Sequence, residues 1–183
     1  MKAHTRRGVF LDRDGVLNRP FVRHGKPYPP DSVSNLEILP GVAKSLWDLK
    51  NAGFLLIVAT NQPDVGAGTQ SREEVESIHS YLRKELPLDD IFVCYHIDSD
   101  KCACRKPLPG LLHDAAKRYN LFLPSCYMVG DRWRDVDAGH NAGCKSIFID
   151  YRYDEQKPQN EPAATLNSLR EAADWILRVS YKI

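Results

Sequence analysis

The sequence predicts an α/β domain built on a parallel sheet with helices packed on both faces. Three observations carry that prediction. Five short apolar runs have strand length and are rich in Val, Ile, Leu and Phe, as strands buried on both faces must be. Segments with apolar residues at helical spacing separate them. Strand and helix then alternate from one end of the chain to the other, and parallel strands need such crossover connections.

The first strand is "GVFL", residues 8–11, followed directly by "DRDGV". Val42, Leu46 and Leu49 share one helical face, and Gly53 supplies a C-terminal cap to that helix. "FLLIVAT" (54–60) is the second strand. Ser71 and Glu74 form a capping-box pattern ahead of Val75, Ile78 and Leu82, which opens the next helix. "DIFVCYH" (90–96) is the third strand, and Leu111, Leu112, Ala115 and Tyr119 mark a helix after it. "CYMVG" (126–130), a helix from about Trp133 to Ala142, and "SIFID" (146–150) complete the pattern. Thr165 opens the last helix, with Leu169, Ala173 and Ile176 on its buried face.

Two segments stand outside this alternation. Asn18 to Pro40 is long, Pro-rich and basic ("RPFVRHGKPYPP"), and irregular loops beyond about 15 residues are usually functional or disordered. A substrate-facing flap is the favoured reading. Tyr151 to Ala164 is polar with two prolines and reads as a surface linker.

Bulk numbers limit the function classes. With 183 residues, one well-buried domain spanning 1–183 is expected. Lys and Arg number 25 against 24 Asp and Glu, a net charge of +1, so no global field draws the protein to nucleic acid or an anionic membrane. No apolar run approaches the roughly 18 residues of a spanning helix, and "MKAHTRRG" lacks a secretory h-region. A cytoplasmic monomer is expected. Of five cysteines, Cys94, Cys102 and Cys104 crowd together with His96, a pattern suited to a metal; Cys126 and Cys144 read as buried thiols.

In a parallel sheet, ligands sit outside the carboxyl ends of the strands. Strand one ends in Asp12 and Asp14, strand two in Thr60, Asn61 and Gln62, and strand four in Asp131 with Asp135 one helical turn on. Singly each has a bland reading, as a turn, a helix cap or solvated surface. Together at one sheet edge they suit a phosphate monoester. Carboxylate attack on a phosphoryl dianion costs about 1 kcal/mol of repulsion per charge pair at 4 Å in water, and several-fold more in a cleft. Mg²⁺ held by Asp12, Asp14 and Asp131 would cancel that repulsion. Asp12 could then attack phosphorus, and Asp14, offering the metal its backbone carbonyl, could move the proton. Thr60, Asn61 and Lys106 could bind phosphoryl oxygens.

Cys94, His96, Cys102 and Cys104 make a four-ligand zinc set with no open position, hence a structural site. Free cytosolic thiols beside a chance histidine are the alternative. A zinc there would stiffen the loop that carries Arg105 and Lys106.

With these motifs the chain resembles the haloacid dehalogenase superfamily of phosphatases: "DRDGV", "TNQ", "RKP" and "GDRWRD" stand in the order of its four motifs, over residues 8 to 150. The resemblance implies a three-layer Rossmann-like fold with nucleophile Asp12, acid/base Asp14, Mg²⁺ and phosphoryl contacts from Thr60 and Lys106. The Cys-His-Cys-Cys loop, "CRKPLPG" and the absence of room for a cap domain look like the heptose 1,7-bisphosphate phosphatases and the related histidinol-phosphate phosphatases. The resemblance also assigns Arg105 to sugar recognition. Removal of the C7 phosphate of a heptose bisphosphate is the leading expectation. Hydrolysis of histidinol phosphate or another small sugar phosphate is the alternative, and a non-catalytic zinc-bearing binding module is the alternative from another class.

Overall fold

The computed structural model describes residues 6–180; the N-terminal residues 1–5, part of the stretch read above for a leader, and residues 181–183 lie outside it. The elements run β1 (Gly8–Leu11), β2 (Phe21–Arg23), β3 (Lys26–Tyr28), α1 (Val42–Asn51), β4 (Leu55–Asn61), α2 (Pro63–Gly66) and α3 (Arg72–Glu85). They continue with β5 (Asp90–Cys94), α4 (Gly110–Tyr119), β6 (Tyr127–Gly130), α5 (Trp133–Ala142), β7 (Lys145–Ile149), β8 (Ala164–Leu166) and α6 (Leu169–Ser180).

Val9, Phe10 and Leu11 have no exposed surface, and a strand sealed on both faces has to lie inside a sheet. β1 accordingly sits between β4 and β6 in a six-stranded sheet of order β5-β4-β1-β6-β7-β8, with every pair parallel. Side chains alternate between faces. Val9 and Leu11 join a core with Leu46 and Leu49 of α1, Ile78 and Leu82 of α3, and Ala173 and Ile176 of α6. Phe10 points into the opposite core, with Leu112 and Ala115 of α4 and Ala142 of α5. The expected three layers are present.

The predicted starts and stops follow local chemistry. Ser71 Oγ accepts from the Glu74 amide at 3.1 Å while Glu74 Oε2 accepts from the Ser71 amide at 3.2 Å, closing the capping box of α3. Gly53 (φ +86°) ends α1, its N–H donating to the Lys50 carbonyl.

Two segments differ from the sequence reading. Thr165 does not open the last helix but lies in β8, an edge strand paired with β7; α6 starts at Leu169, where Ser168 Oγ accepts from the Glu171 amide. The linker before it is pinned, because buried Asp137 of α5 accepts from the backbone N–H groups of Gln159 and Asn160. The chain thereby returns as β8 along the side of β7 away from β6, whose ladder groups need partners. The flap 18–40 contains the antiparallel hairpin β2–β3, turned at His24 and Gly25, both at positive φ. Cys126 is buried, whereas Cys144 is only partly so.

Winding leaves β1 toward β4 and β5, then returns to β6 and continues to β7 and β8. The reversal falls at β1, so a crevice opens at the carboxyl ends of β1, β4 and β6.

Candidate active site

Each carboxyl end delivers charged groups to that crevice. β1 hands over to Asp12, β6 to Asp131, and Asp135 follows in the first turn of α5. Oxygens of these three carboxylates lie within 4.8 Å of one another, and all three residues are buried. Two glycines permit the crowding. Gly15 turns the chain at φ +83°, and a Cβ there would collide with the Asp131 carboxylate. A Cβ on Gly130 would collide with the Asp135 side chain.

Three buried acids need compensation. Lys106, only 2 % exposed, places Nζ 2.9 Å from Asp12 Oδ1 and 2.5 Å from Asp135 Oδ1. Burial alone would pull this ammonium down, but Asp12 and Asp135 outweigh it and hold it above the usual lysine range. Burial pushes the Asp12 carboxyl up to about 6 despite Lys106, and the charges of Asp135 and Asp14 add to the rise. Asp131 is driven well above the carboxylate range by burial and by the neighbouring Asp12 and Asp135. Both of its oxygens are buried without a hydrogen-bond partner. Two orphaned carboxylate oxygens beside two more acids are a cation's donor set, and hard oxygen donors in small number suit Mg²⁺.

Asp14 lies apart from that cluster. Its carboxylate accepts from Asn18 Nδ2 at 2.9 Å, from Gln62 Nε2 at 2.9 Å and from the Arg13 guanidinium at 2.9–3.2 Å. Burial raises this carboxyl, but Arg13, Asn18 and Gln62 overcome it and hold it below its ordinary value. That leaves the Asp14 carboxyl outside the acidic cluster, as expected of a residue that offers a metal its backbone carbonyl alone, and the third carboxylate gathered beside Asp12 and Asp131 is Asp135.

The "TNQ" residues divide their work. Asn61 lines the cleft, donates to the Lys106 carbonyl and accepts from the Lys106 amide, each at 3.1 Å, and so fixes the lysine's backbone. Gln62 and Thr60 are buried; Gln62 Nε2 bridges Asp14 and Thr60 Oγ1, so Gln62 holds Asp14 in place and is not aimed at a ligand. Arg105 lines the cleft, with Nε 2.7 Å from Asp98 Oδ1.

The cleft, about 340 Å³, has a basic outer wall of Lys26, Arg105, Arg132 and Arg134, facing Asp64, Asp98 and Glu155. Arg132 pairs with Glu155, while Arg105 and Arg134 share the single carboxylate of Asp98. Tyr28 and Lys26 come from the flap hairpin. Sequence reasoning missed Arg13, Arg132 and Arg134, and it placed the flap at the substrate without singling out Asn18, Lys26 or Tyr28. Arg13 could have been found, since a basic residue between two strand-end acids is placed to neutralise one of them.

Beside the cleft, Cys94, His96, Cys102 and Cys104 converge as expected. Their sulfurs lie 3.2–3.7 Å apart, and His96 Nδ1 is 3.6 and 3.3 Å from Cys94 and Cys104. A tetrahedron with Zn–S bonds of about 2.3 Å has edges of roughly 3.8 Å, so the donors are set for zinc with little movement.

Residues 103–172 match the model of the HAD-hydrolase-like family. The chain is 32 % identical over 182 residues to the D-glycero-beta-D-manno-heptose-1,7-bisphosphate 7-phosphatase of Helicobacter pylori strain J99, covering 94 % of this chain and 98 % of that one. It is 39 % identical over 155 residues to the D-glycero-alpha-D-manno-heptose-1,7-bisphosphate 7-phosphatase of Mycobacterium bovis, covering 77 % and 78 %. The fold resembles that of the D,D-heptose 1,7-bisphosphate phosphatase from B. bronchiseptica complexed with magnesium and phosphate, with a TM-score of 0.79 at 28 % identity over 96 % of this chain and 99 % of that one.

Proposed function

The chain belongs to the heptose-1,7-bisphosphate phosphatases among the haloacid-dehalogenase-like hydrolases, and we propose that it removes the C7 phosphate of D-glycero-D-manno-heptose 1,7-bisphosphate. The observation that carries this reading is the buried trio of Asp12, Asp131 and Asp135 around Lys106, opening onto a basic wall. Two guanidinium groups that share one carboxylate leave positive charge for a second phosphate. Histidinol phosphate has no second phosphate to take up that charge and brings a cationic amine instead. A non-catalytic module has no use for a cluster that burial makes costly to keep.

Phosphatases of this family use Mg²⁺. Here the carboxylates of Asp12 and Asp131 and the backbone carbonyl of Asp14 would hold it, with Asp135, already bonded to Lys106 and the Arg132 amide, beside them; when bound it supplies positive charge that screens the phosphoryl oxygens. Asp12 attacks phosphorus as the P–O bond to the sugar breaks, giving an aspartyl phosphate. Lys106 holds Asp12 in the attacking rotamer and offers its ammonium to the phosphoryl charge. Asn61 keeps the lysine's backbone in register. The negative charge of the arriving substrate offsets Arg13 and raises the proton affinity of Asp14. Asp14 gives its proton to the departing sugar oxygen, then takes one from the water that displaces Asp12. Arg105 and Arg134 hold the remainder of the substrate.

The cysteine group supports a structural zinc that fixes the loop before Lys106. The chain is read as one capless domain, because the segments before and after β4 hold, besides the sheet's own helices and β5, only the flap hairpin, the short α2 and the cysteine loop. Among the described residues no helix is long and apolar enough to cross a membrane, and reduced cysteines suit a cytoplasmic enzyme. The test is phosphate release from a panel of both heptose bisphosphate anomers and histidinol phosphate, with and without Mg²⁺. Mg²⁺-dependent turnover preferring a bisphosphate supports the reading; preference for histidinol phosphate, or no turnover, refutes it.

A further inference from the structure

Behind Asp14 lies a buried polar group that the phosphate chemistry leaves unexplained. Arg13 has no exposed surface. Its Nε and Nη2 face Asp14, and Nη2 also donates to Gln62 Oε1 at 3.0 Å. On its far side Nη1 lies 3.2 Å from Nε2 of His79, a residue of α3 only 2 % exposed. The other ring nitrogen, Nδ1, has no hydrogen-bond partner and faces Glu76 Oε2 at 3.7 Å. A buried guanidinium that loses an acceptor is left with an uncompensated N–H and is free to turn toward another.

We propose that His79 is a positioning residue for proton transfer: by accepting from Arg13 Nη1 it locks the guanidinium, and the guanidinium locks the Asp14 carboxylate toward the leaving oxygen. Burial and the charge of Arg13 push the imidazole down to about 4, so the ring is neutral and Nε2 is free to accept. The proton on Nδ1 then points at Glu76. The chain of contacts, His79 to Arg13 to Asp14, reaches from helix α3 to the reacting atoms without His79 touching substrate. Gln62 closes the same ring from the side of β4.

This inference rests on the reading of Asp14 as the acid that protonates the leaving group. Its signature is therefore dependence on the leaving group. A sugar alkoxide needs the proton; p-nitrophenolate departs without it. For His79→Leu, kcat/KM on the sugar phosphate is expected to fall about 10- to 100-fold, while kcat/KM on p-nitrophenyl phosphate changes less than about threefold. His79→Gln, whose side-chain oxygen can accept from Nη1, is expected to recover most of the loss. If the leucine variant fails to fold, the same ratio is read on His79→Asn, whose amide is too short to reach Arg13. Equal losses on both esters, or no loss on either, in an active wild-type background would overturn the role of His79 alone. A wild-type enzyme that releases phosphate from neither ester would overturn the assignment of Asp14 with it.

Discussion

Replacing Asp12 with asparagine separates the cost of the site from its use. Asp12 is buried, and its carboxyl is raised from 3.8 to about 6. A group raised in the folded state contributes stability that is full below the unfolded value and lost as pH rises through the folded one. The wild-type protein without added Mg²⁺ should therefore lose stability between about pH 4 and pH 6, by at most about 3 kcal/mol from this residue at about 1.4 kcal/mol per unit. An asparagine in its place has no proton to lose and removes that slope. At about pH 7.5, Asp12→Asn should match or exceed the wild type in stability, while at about pH 4.5 the advantage shrinks. Urea unfolding at the two pH values, with zinc retained and Mg²⁺ omitted, measures it. The same variant should show no turnover. A variant less stable than wild type at both pH values, a difference that does not change with pH, or retained turnover would refute the reasoning.

Lys106→Met leaves Asp12, Asp131 and Asp135 buried without their cation; unfolding at neutral pH should register a loss of about 3–5 kcal/mol, with turnover down at least about 100-fold. Cys102→Ser removes one member of the tetrahedral set, so metal analysis should show less than one zinc per chain and a lower melting temperature; full zinc content would exclude Cys102 as a ligand. Arg105→Ala should raise KM for the bisphosphate about tenfold with a smaller effect on a substrate lacking the second phosphate, and equal effects would remove Arg105 from recognition of that group.

The sheet was legible because its central strands are sealed on both faces and leave continuous apolar runs. Val9–Leu11 and Leu56–Ala59 have no exposed surface, and such runs have no other home in a chain of this size. β8 escaped because Ala164–Leu166 is a short edge strand, partly exposed, with too few residues for a period. The hairpin in the flap had a signal, His24-Gly25 as a two-residue turn, masked by the surrounding prolines.

The site was legible as a set of strand ends and less so as a set of orientations. Position after a strand placed Asp12, Asp14, Lys106 and Asp131 near one another. It could not tell that Gln62 closes on Asp14 while Lys106 closes on Asp135, because those partners are distant in sequence; Arg13, beside Asp14, was the one local signal. That Gln62 Nε2 joins Thr60 Oγ1 to Asp14 was hidden for the same reason. The convergence of Cys94, His96, Cys102 and Cys104 was legible because a tetrahedral ion demands soft ligands at close quarters, and three cysteines and a histidine within eleven residues offer them.

The central claim is that Asp12, with Mg²⁺, takes the C7 phosphoryl group and leaves the C1 phosphate in place. Phosphorus NMR of heptose 1,7-bisphosphate turned over by the wild-type enzyme with Mg²⁺ tests it directly. The account predicts that the C7 resonance gives way to inorganic phosphate while the anomeric phosphate signal persists; loss of the anomeric signal, or no release of phosphate, would contradict it.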